Sequence, residues 1–210
     1  MADKIRLVYL DEEQGWQSQA YAVLNVDFEL HIPENLPRDI ESLWPEIKEF
    51  NAEAILIDYR LNEAGEVAYT GDDVIKEIHK HNKHLPMFII TSYEDNALIE
   101  CKEAEIVRGK ELLAEADKVI KLKNIITASV NKYEARKSSA EDIIISLQAK
   151  VKTGESLSNE DETNKFDAEL YLSELDLDSN VRANLITSKS NRDIEEILNA
   201  AKELILMHKK

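Results

Sequence analysis

Short apolar runs alternate with stretches of helical spacing along the first two thirds of the chain. The first run, KIRLVYL at 4–10, ends in acidic residues, and similar runs recur after it. Runs of this kind, separated by helical spacing, predict buried strands joined by helices. This alternation predicts an α/β fold in which helices cover both faces of a five-stranded parallel sheet. The predicted strands are 4–10, 28–32, 54–58, 86–91 and 118–122, and the predicted helices are 16–25, 39–50, 72–84, 95–115 and 124–150.

The pattern changes beyond about residue 150. Residues 152–164 are polar and have no apolar period, so they predict a linker or exposed loop. Leucine and isoleucine return at helical spacing in 166–178 and 191–207, which predicts a short helical module. We therefore expect a main domain over 1–135, a helix continuation and polar linker over 136–165, and a small helical module over 166–210.

Composition narrows the classes of function. The 210 residues carry a formal net charge of −16, which would repel the phosphates of a nucleic acid, so we expect no nucleic-acid partner. No apolar stretch is long enough to resemble a signal peptide or a membrane span, so we expect no membrane association. The one cysteine, Cys101, cannot form an internal disulfide, which favours the cytoplasm as the location.

Candidate chemistry lies where the predicted strands end. Parallel α/β sheets bind ligands at the carboxyl ends of their strands, where Asp11, Glu12, Asp58 and Thr91 occur. Phosphoryl transfer to a carboxylate needs a nucleophilic aspartate, a divalent cation and hydrogen-bond donors. Magnesium prefers oxygen ligands, so the carboxylates of Asp11, Glu12 and Asp58 with a backbone carbonyl, assigned to Arg60, would form a sufficient cage.

Three segments share a family pattern: LVYLDEE at 7–13, AILIDYRL at 54–61 and PMFIITS at 86–92. Together they resemble the receiver domain of two-component response regulators. The resemblance covers roughly residues 4–132 and implies a flavodoxin-like doubly wound sheet with a phosphoryl-accepting aspartate and Mg²⁺ as cofactor. Beyond it, residues 136–210 would form an extension that does not bind DNA.

The resemblance also implies roles for individual residues. Asp58 would accept the phosphoryl group, and Thr91 would contact the acyl phosphate. A lysine that ends the fifth strand would contact the acyl phosphate as well. Within VIKLK at 119–123 the choice lies between Lys121, which is favoured, and Lys123.

The chain also departs from the pattern of that family. Thirty residues separate Thr91 from Lys121, which predicts an extended fourth helix. The loop after Asp58 is lengthened by NEAGEVAYT before Gly71, and the predicted fifth strand contains no aromatic residue. These departures put the coupling between phosphorylation and output in question.

Three functions follow as hypotheses. The leading one is a phosphorelay protein that receives phosphate from a histidine kinase or phosphotransfer protein and then changes its affinity for a protein output partner. Such a protein is not an enzyme that acts on an external metabolite. A receiver-like scaffold without phosphorylation is the second hypothesis. A magnesium-dependent, phosphatase-like hydrolase is the third, and it is disfavoured because Arg60 stands where a second acid would be expected.

Overall fold

A five-stranded, all-parallel sheet forms the centre of the fold. A computed structural model describes residues 4–92 and 107–175. The strand order is β2-β1-β3-β4-β5, which is the flavodoxin-like doubly wound order, so the predicted fold class is confirmed. The strands are β1 (Ile5–Leu10), β2 (Phe28–His31), β3 (Ala54–Asp58), β4 (Met87–Thr91) and β5 (Val107–Gly109).

Helices connect and follow the strands. The helix α3 begins at a capping box in which Thr70 and Asp73 each accept a hydrogen bond from the backbone N–H of the other. The predicted helix began at residue 72, so the observed helix begins one residue earlier than expected. Two short 3₁₀ turns lie at Ile40–Ser42 and Lys110–Leu113. The helices are α1 (Gln14–Leu24), α2 (Leu43–Glu49), α3 (Gly71–His79), α4 (Ala116–Lys152) and α5 (Asn159–Ser173).

Both faces of the sheet are buried. Val8 and Leu10 of β1 belong to a core cluster with residues of α2 and α3. Leu7 and Tyr9, which point to the opposite face, belong to a second cluster with residues of α1 and α4. A parallel strand covered on both sides needs apolar residues at consecutive positions, which explains the unbroken apolar runs in the sequence.

The predicted fifth strand at 118–122 is wrong, because these residues lie in α4. Val119, Leu122 and Ile126 are buried at helical spacing, whereas Ile120 is 58% exposed. An amphipathic helix therefore produced an apolar run that looked like a strand. The observed fifth strand lies upstream, at Val107–Gly109.

The predicted helix at 95–115 is wrong at its end, where β5 and a 3₁₀ turn occupy residues 107–113. Its first part, including Cys101, lies outside the described residues, as does the predicted helix at 191–207. The helix α5 begins at Asn159, inside the stretch predicted to be a linker.

The chain divides into two units, 1–136 and 137–210. In the second unit, α5 begins at a capping box formed by Ser158 and Asp161. The Asp161 carboxylate also accepts a hydrogen bond from Lys150 at 2.7 Å. Among the helices that the structure describes, none combines the length and the apolar character needed to cross a membrane.

Candidate functional site

The register of the central strands brings two aspartates side by side. Leu10 pairs with Ile57 across β1 and β3, so Asp11 and Asp58, the next residues, lie next to each other at the carboxyl edge of the sheet. Both are almost completely buried, at 2% and 3% exposure. The acidic groups at the ends of β1 and β3 therefore come together as the sequence predicts.

Backbone and side-chain donors hold Asp11 in place. Its Oδ2 accepts a hydrogen bond from the hydroxyl of Tyr9, and its Oδ1 accepts one from the Glu13 N–H at 2.9 Å. Burial and the carboxylate of Asp11 raise the pKa of Tyr9, which keeps its hydroxyl as a donor. The amide of Gln17 donates to the Asp11 carbonyl at 2.6 Å. Asp11 is thus fixed between the end of β1 and the start of α1.

Lys110 is the cation of this site. It follows β5 directly, and its Nζ lies 2.9 Å from Asp11 Oδ2 and 3.2 Å from Asp58 Oδ1. It also contacts Glu13 Oε1 at 3.3 Å and lies 5.4 Å from the centre of the Trp16 ring. Burial disfavours the ammonium form, but the carboxylates of Asp58 and Asp11 outweigh burial and raise the pKa of Lys110. The side chain is therefore a buried, charged donor.

Asp58 is a buried carboxyl group whose pKa is shifted toward neutrality. Burial is the main cause that raises its pKa from the usual 3.8 to about 7, while Lys110 opposes the shift and Asp11 adds to it. The N–H of Arg60 donates to Asp58 Oδ2 at 3.2 Å. A carboxylate with a neighbouring cation and a titration near neutral pH is suited to act as a nucleophile at physiological pH.

The acidic cluster fits a divalent cation. Asp11, Glu12 and Asp58 each offer a carboxylate oxygen, and these oxygens lie within 4.8 Å of one another. Glu12 Oε2 is a buried oxygen that accepts no hydrogen bond from the described part of the chain. Burial also raises the pKa of Glu12. A cation would supply the missing partner of this oxygen, and three carboxylates are hard ligands of the type that Mg²⁺ prefers.

Thr91 and Arg60, the remaining residues predicted at the strand ends, also lie at this edge. Thr91 ends β4, is 1% exposed and pairs with Gly109, the residue before Lys110. The carbonyl of Arg60 accepts a hydrogen bond from the Glu63 N–H at 3.1 Å within the loop after β3. The predicted roles of Thr91 in phosphate contact and of Arg60 in metal binding stay predictions.

The predicted lysine lies elsewhere. Lys121 is exposed on α4, because 118–122 forms a helix and not the fifth strand. The alternative, Lys123, donates to Asp27 at 2.5 Å. Lys110 was missed because only three residues, VRG, form the strand before it. The interval after Thr91 was a usable signal, since Lys110 follows at 19 residues and Lys121 only at 30.

Comparison with known proteins gives likenesses in backbone only. No protein-family model matches the sequence, and no curated protein matches it significantly. A putative response regulator from Chloroflexus aurantiacus is 18% identical with a TM-score of 0.45, over 60% of this chain and 99% of that one. The RcsB response regulator of Salmonella typhimurium is 13% identical with a TM-score of 0.41, over 89% and 100%. A yeast Spc42 trimeric coiled-coil segment fused to another solved structure is 18% identical with a TM-score of 0.49, over 73% and 97%.

Proposed function

We propose that this chain is a response-regulator-like signalling protein that accepts a phosphoryl group on Asp58, with Mg²⁺ as cofactor. The geometry around Lys110 carries the proposal. A buried lysine bridges the carboxylates of Asp11 and Asp58, while the neighbouring Glu12 offers an oxygen that accepts no hydrogen bond from the described residues. A nucleophile, a donor and a set of metal ligands thus lie at one edge of the sheet.

The transfer requires one bond to form and one to break. A carboxylate oxygen of Asp58 bonds to phosphorus, and the bond between phosphorus and the donor breaks, with its electron pair leaving on the donor. The donor is a phosphohistidine of a kinase or phosphotransfer protein, or a small acyl phosphate in the test tube. Lys110, whose Nζ lies 3.2 Å from Asp58 Oδ1, would donate to an oxygen of the transferred group.

Metal binding completes the electrostatics of the acceptor. Asp11, Glu12 and Asp58 would hold the cation, with the carbonyl of Arg60 as a further ligand. When bound, Mg²⁺ supplies positive charge against the phosphoryl oxygens. Before transfer, Asp58 must be ionised to act as a nucleophile, and its pKa of about 7 places this ionisation near neutral pH.

The site fits a phosphoryl acceptor better than the active site of an enzyme that acts on an external metabolite. A hydrolase with an aspartyl nucleophile would need a second acid to activate water, and Arg60 occupies the position two residues beyond Asp58. We propose that phosphorylation instead changes the affinity of the protein for an output partner. The helical segments after residue 136 are the candidate route to that partner, in a cytoplasmic phosphorelay.

The first test is phosphorylation by acetyl phosphate with Mg²⁺, followed by intact-mass measurement. Wild type should gain the mass of one phosphoryl group, and Asp58→Asn should gain none. Asp142→Asn is a matched control, because Asp142 is exposed on α4 and should retain the adduct. An adduct that persists in Asp58→Asn would contradict the assignment of the acceptor.

The second test separates the two lysines. Lys110→Met should lower the rate of phosphorylation about 10²- to 10³-fold, the usual effect of losing a donor to the reacting group. Lys121→Met should react like wild type. If wild type takes up no phosphoryl group and binds no Mg²⁺ at millimolar concentration, the chain is a phosphorylation-independent scaffold instead.

A further inference from the structure

The hydrogen-bonding capacity of Lys110 is fully used in the described structure. An ammonium group has three N–H donors. Lys110 Nζ contacts three carboxylates, those of Asp11 at 2.9 Å, Asp58 at 3.2 Å and Glu13 at 3.3 Å. A phosphoryl oxygen on Asp58 can therefore gain a hydrogen bond from Lys110 only if one present partner gives up its own.

Glu13 is the partner that gives way at least cost. Its contact is the longest of the three, and its side chain is 56% exposed, so water can replace Lys110 as its partner. The side chain of Asp11 is 0% exposed, and its carboxylate would lose a partner without access to water. Asp58, which is 4% exposed, still has a carbonyl oxygen that can accept a hydrogen bond from Lys110 after its other oxygen bonds to phosphorus. Glu13, at the rim of the site, is therefore the residue that gives up its contact with Lys110.

We propose that Glu13 is an internal competitor for Lys110: it occupies one lysine N–H in the resting protein and yields it to an oxygen of the phosphoryl group. The inference rests on the proposed function and adds a regulatory residue to it. Because Glu13 immediately precedes α1, release of this contact also removes one of the links between that helix and the turn after β5. Trp16, whose ring lies 5.4 Å from Lys110 Nζ, is positioned to report the exchange.

The competition has a measurable consequence. Removing the Glu13 carboxylate should raise the affinity for a phosphoryl mimic by about two- to fivefold, the effect of an exposed ion pair. The affinity for Mg²⁺ alone should stay the same or fall slightly, because Glu13 is outside the three-carboxylate group and one negative charge is lost nearby. The affinity for the phosphoryl mimic should therefore rise without a rise in the affinity for Mg²⁺.

The experiment titrates beryllofluoride at saturating Mg²⁺ on wild type and Glu13→Gln, with Trp16 fluorescence read in a Trp44→Phe background. The yield of acetyl-phosphate adduct, measured by intact mass without the Trp44 substitution, is the second readout. Glu115→Gln is the matched control, since Glu115 is 61% exposed, pairs with Lys118 and changes the net charge equally. We expect tighter binding and a higher yield in Glu13→Gln alone.

Three results decide between the possibilities. If wild type binds the mimic but Glu13→Gln binds it equally or more weakly, the competitor role is overturned while the acceptor function stands. An equal gain in Glu115→Gln would overturn it too, because general charge would then explain the effect. If wild type neither binds beryllofluoride nor takes up phosphate, the acceptor function fails and the competitor role with it. In a Lys110→Met background, Glu13→Gln should have no effect.

Discussion

The two sides of the site are built very differently. Asp11 and Asp58 follow β1 and β3, which pair with each other in the interior of the sheet. Lys110 follows β5, a strand of three residues that pairs with β4 and, among the described strands, lies at the edge of the sheet. The anionic side therefore lies on long, doubly covered strands, whereas the cationic side lies on a short edge strand followed by a 3₁₀ turn.

This difference explains how the Lys110 side chain is held in place. An edge strand of three residues has few ladder bonds, so side-chain contacts must fix the lysine after it. Lys110 has such contacts with Asp11, Asp58 and Glu13. The acids thus position the lysine as much as the lysine positions the acids, and predictions can test each side separately.

The largest effect on stability should come from Lys110→Met. Without the ammonium, the buried carboxylates of Asp11 and Asp58 lose their shared cation, and breaking a buried pair in this way costs about 3–5 kcal/mol. Urea unfolding of the metal-free protein above neutral pH measures the loss. Lys121→Met, on the exposed face of α4, should stay within about 0.5 kcal/mol of wild type. Equal stability of the two variants would mean that Lys110 does not hold the two sides together.

Asp58→Asn should instead increase the stability of the metal-free protein. The pKa of Asp58 rises from 3.8 to about 7 on folding, chiefly by burial. Below pH about 4 both states bind the proton, and between about 4 and 7 only the folded state retains it. The native carboxylate therefore destabilises the fold increasingly up to pH about 7, and by a constant amount above it.

Asp58→Asn removes this penalty and should stabilise the metal-free protein above pH 7 by about 4 kcal/mol, the free energy that corresponds to a shift of about three pKa units. The gain should vanish as the pH falls toward about 4. Lys110 keeps Asp11 and Glu13 as partners in this variant. Thermal unfolding across the pH range measures the effect, with Asp142→Asn as the exposed control. A stabilisation that is independent of pH would rule out relief of carboxylate burial as its cause.

Gly71→Ala tests how rigid the anionic side of the site is. A Cβ at Gly71 would lie 2.5 Å from the backbone oxygen of Asp58, and a backbone atom on a buried strand has little room to move. We expect a loss of about 1–3 kcal/mol and a slower phosphorylation of Asp58, because overpacking displaces its backbone. Gly15→Ala in α1 is the control, since a Cβ there would meet no described atom within 4 Å beyond its chain neighbours and the backbone of its own helix. Wild-type stability in Gly71→Ala would show that the end of β3 yields easily.

The anionic side was predicted from the sequence because its signals are local. The runs that became β1 and β3 are consecutive apolar residues followed directly by acids, and the parallel arrangement then requires Asp11 and Asp58 to be neighbours. The hydroxyl of Thr91 at the end of β4 was found in the same way. Local pattern and tertiary environment agree on this side of the sheet.

The strand on the cationic side has no local signal in the sequence, because its structure depends on pairing. Val107–Gly109 contains one apolar residue and becomes a strand through its register with β4, which no local pattern encodes. The helical stripe with Val119 and Leu122 gave a stronger strand-like signal than the true strand. The contact of Glu13 with Lys110 joins residues 97 positions apart and follows only from the assembled fold.

The smallest predicted effect comes from removing either of two glutamines of α1. Gln19 contacts the cationic side and Gln17 contacts the anionic side. The amide of Gln19 donates to the carbonyl of Leu113 at 2.8 Å, in the turn after Lys110, whereas that of Gln17 donates to the carbonyl of Asp11 at 2.6 Å. Each bond contributes about 1 kcal/mol. The turn rests on a three-residue strand, whereas Asp11 keeps its bonds to Tyr9 and to the Glu13 N–H.

Gln19→Ala should therefore speed amide hydrogen exchange locally, over 110–114, because the turn loses a bond that its short strand cannot replace. Gln17→Ala should lower global stability by a similar amount and leave exchange near Asp11 slow, since the remaining bonds still hold that residue. Exchange measured by mass spectrometry on the two variants compares the sides directly. If Gln17→Ala opens the end of β1 as readily as Gln19→Ala opens the turn, both sides depend equally on α1, and the length of the supporting strand does not decide local stability.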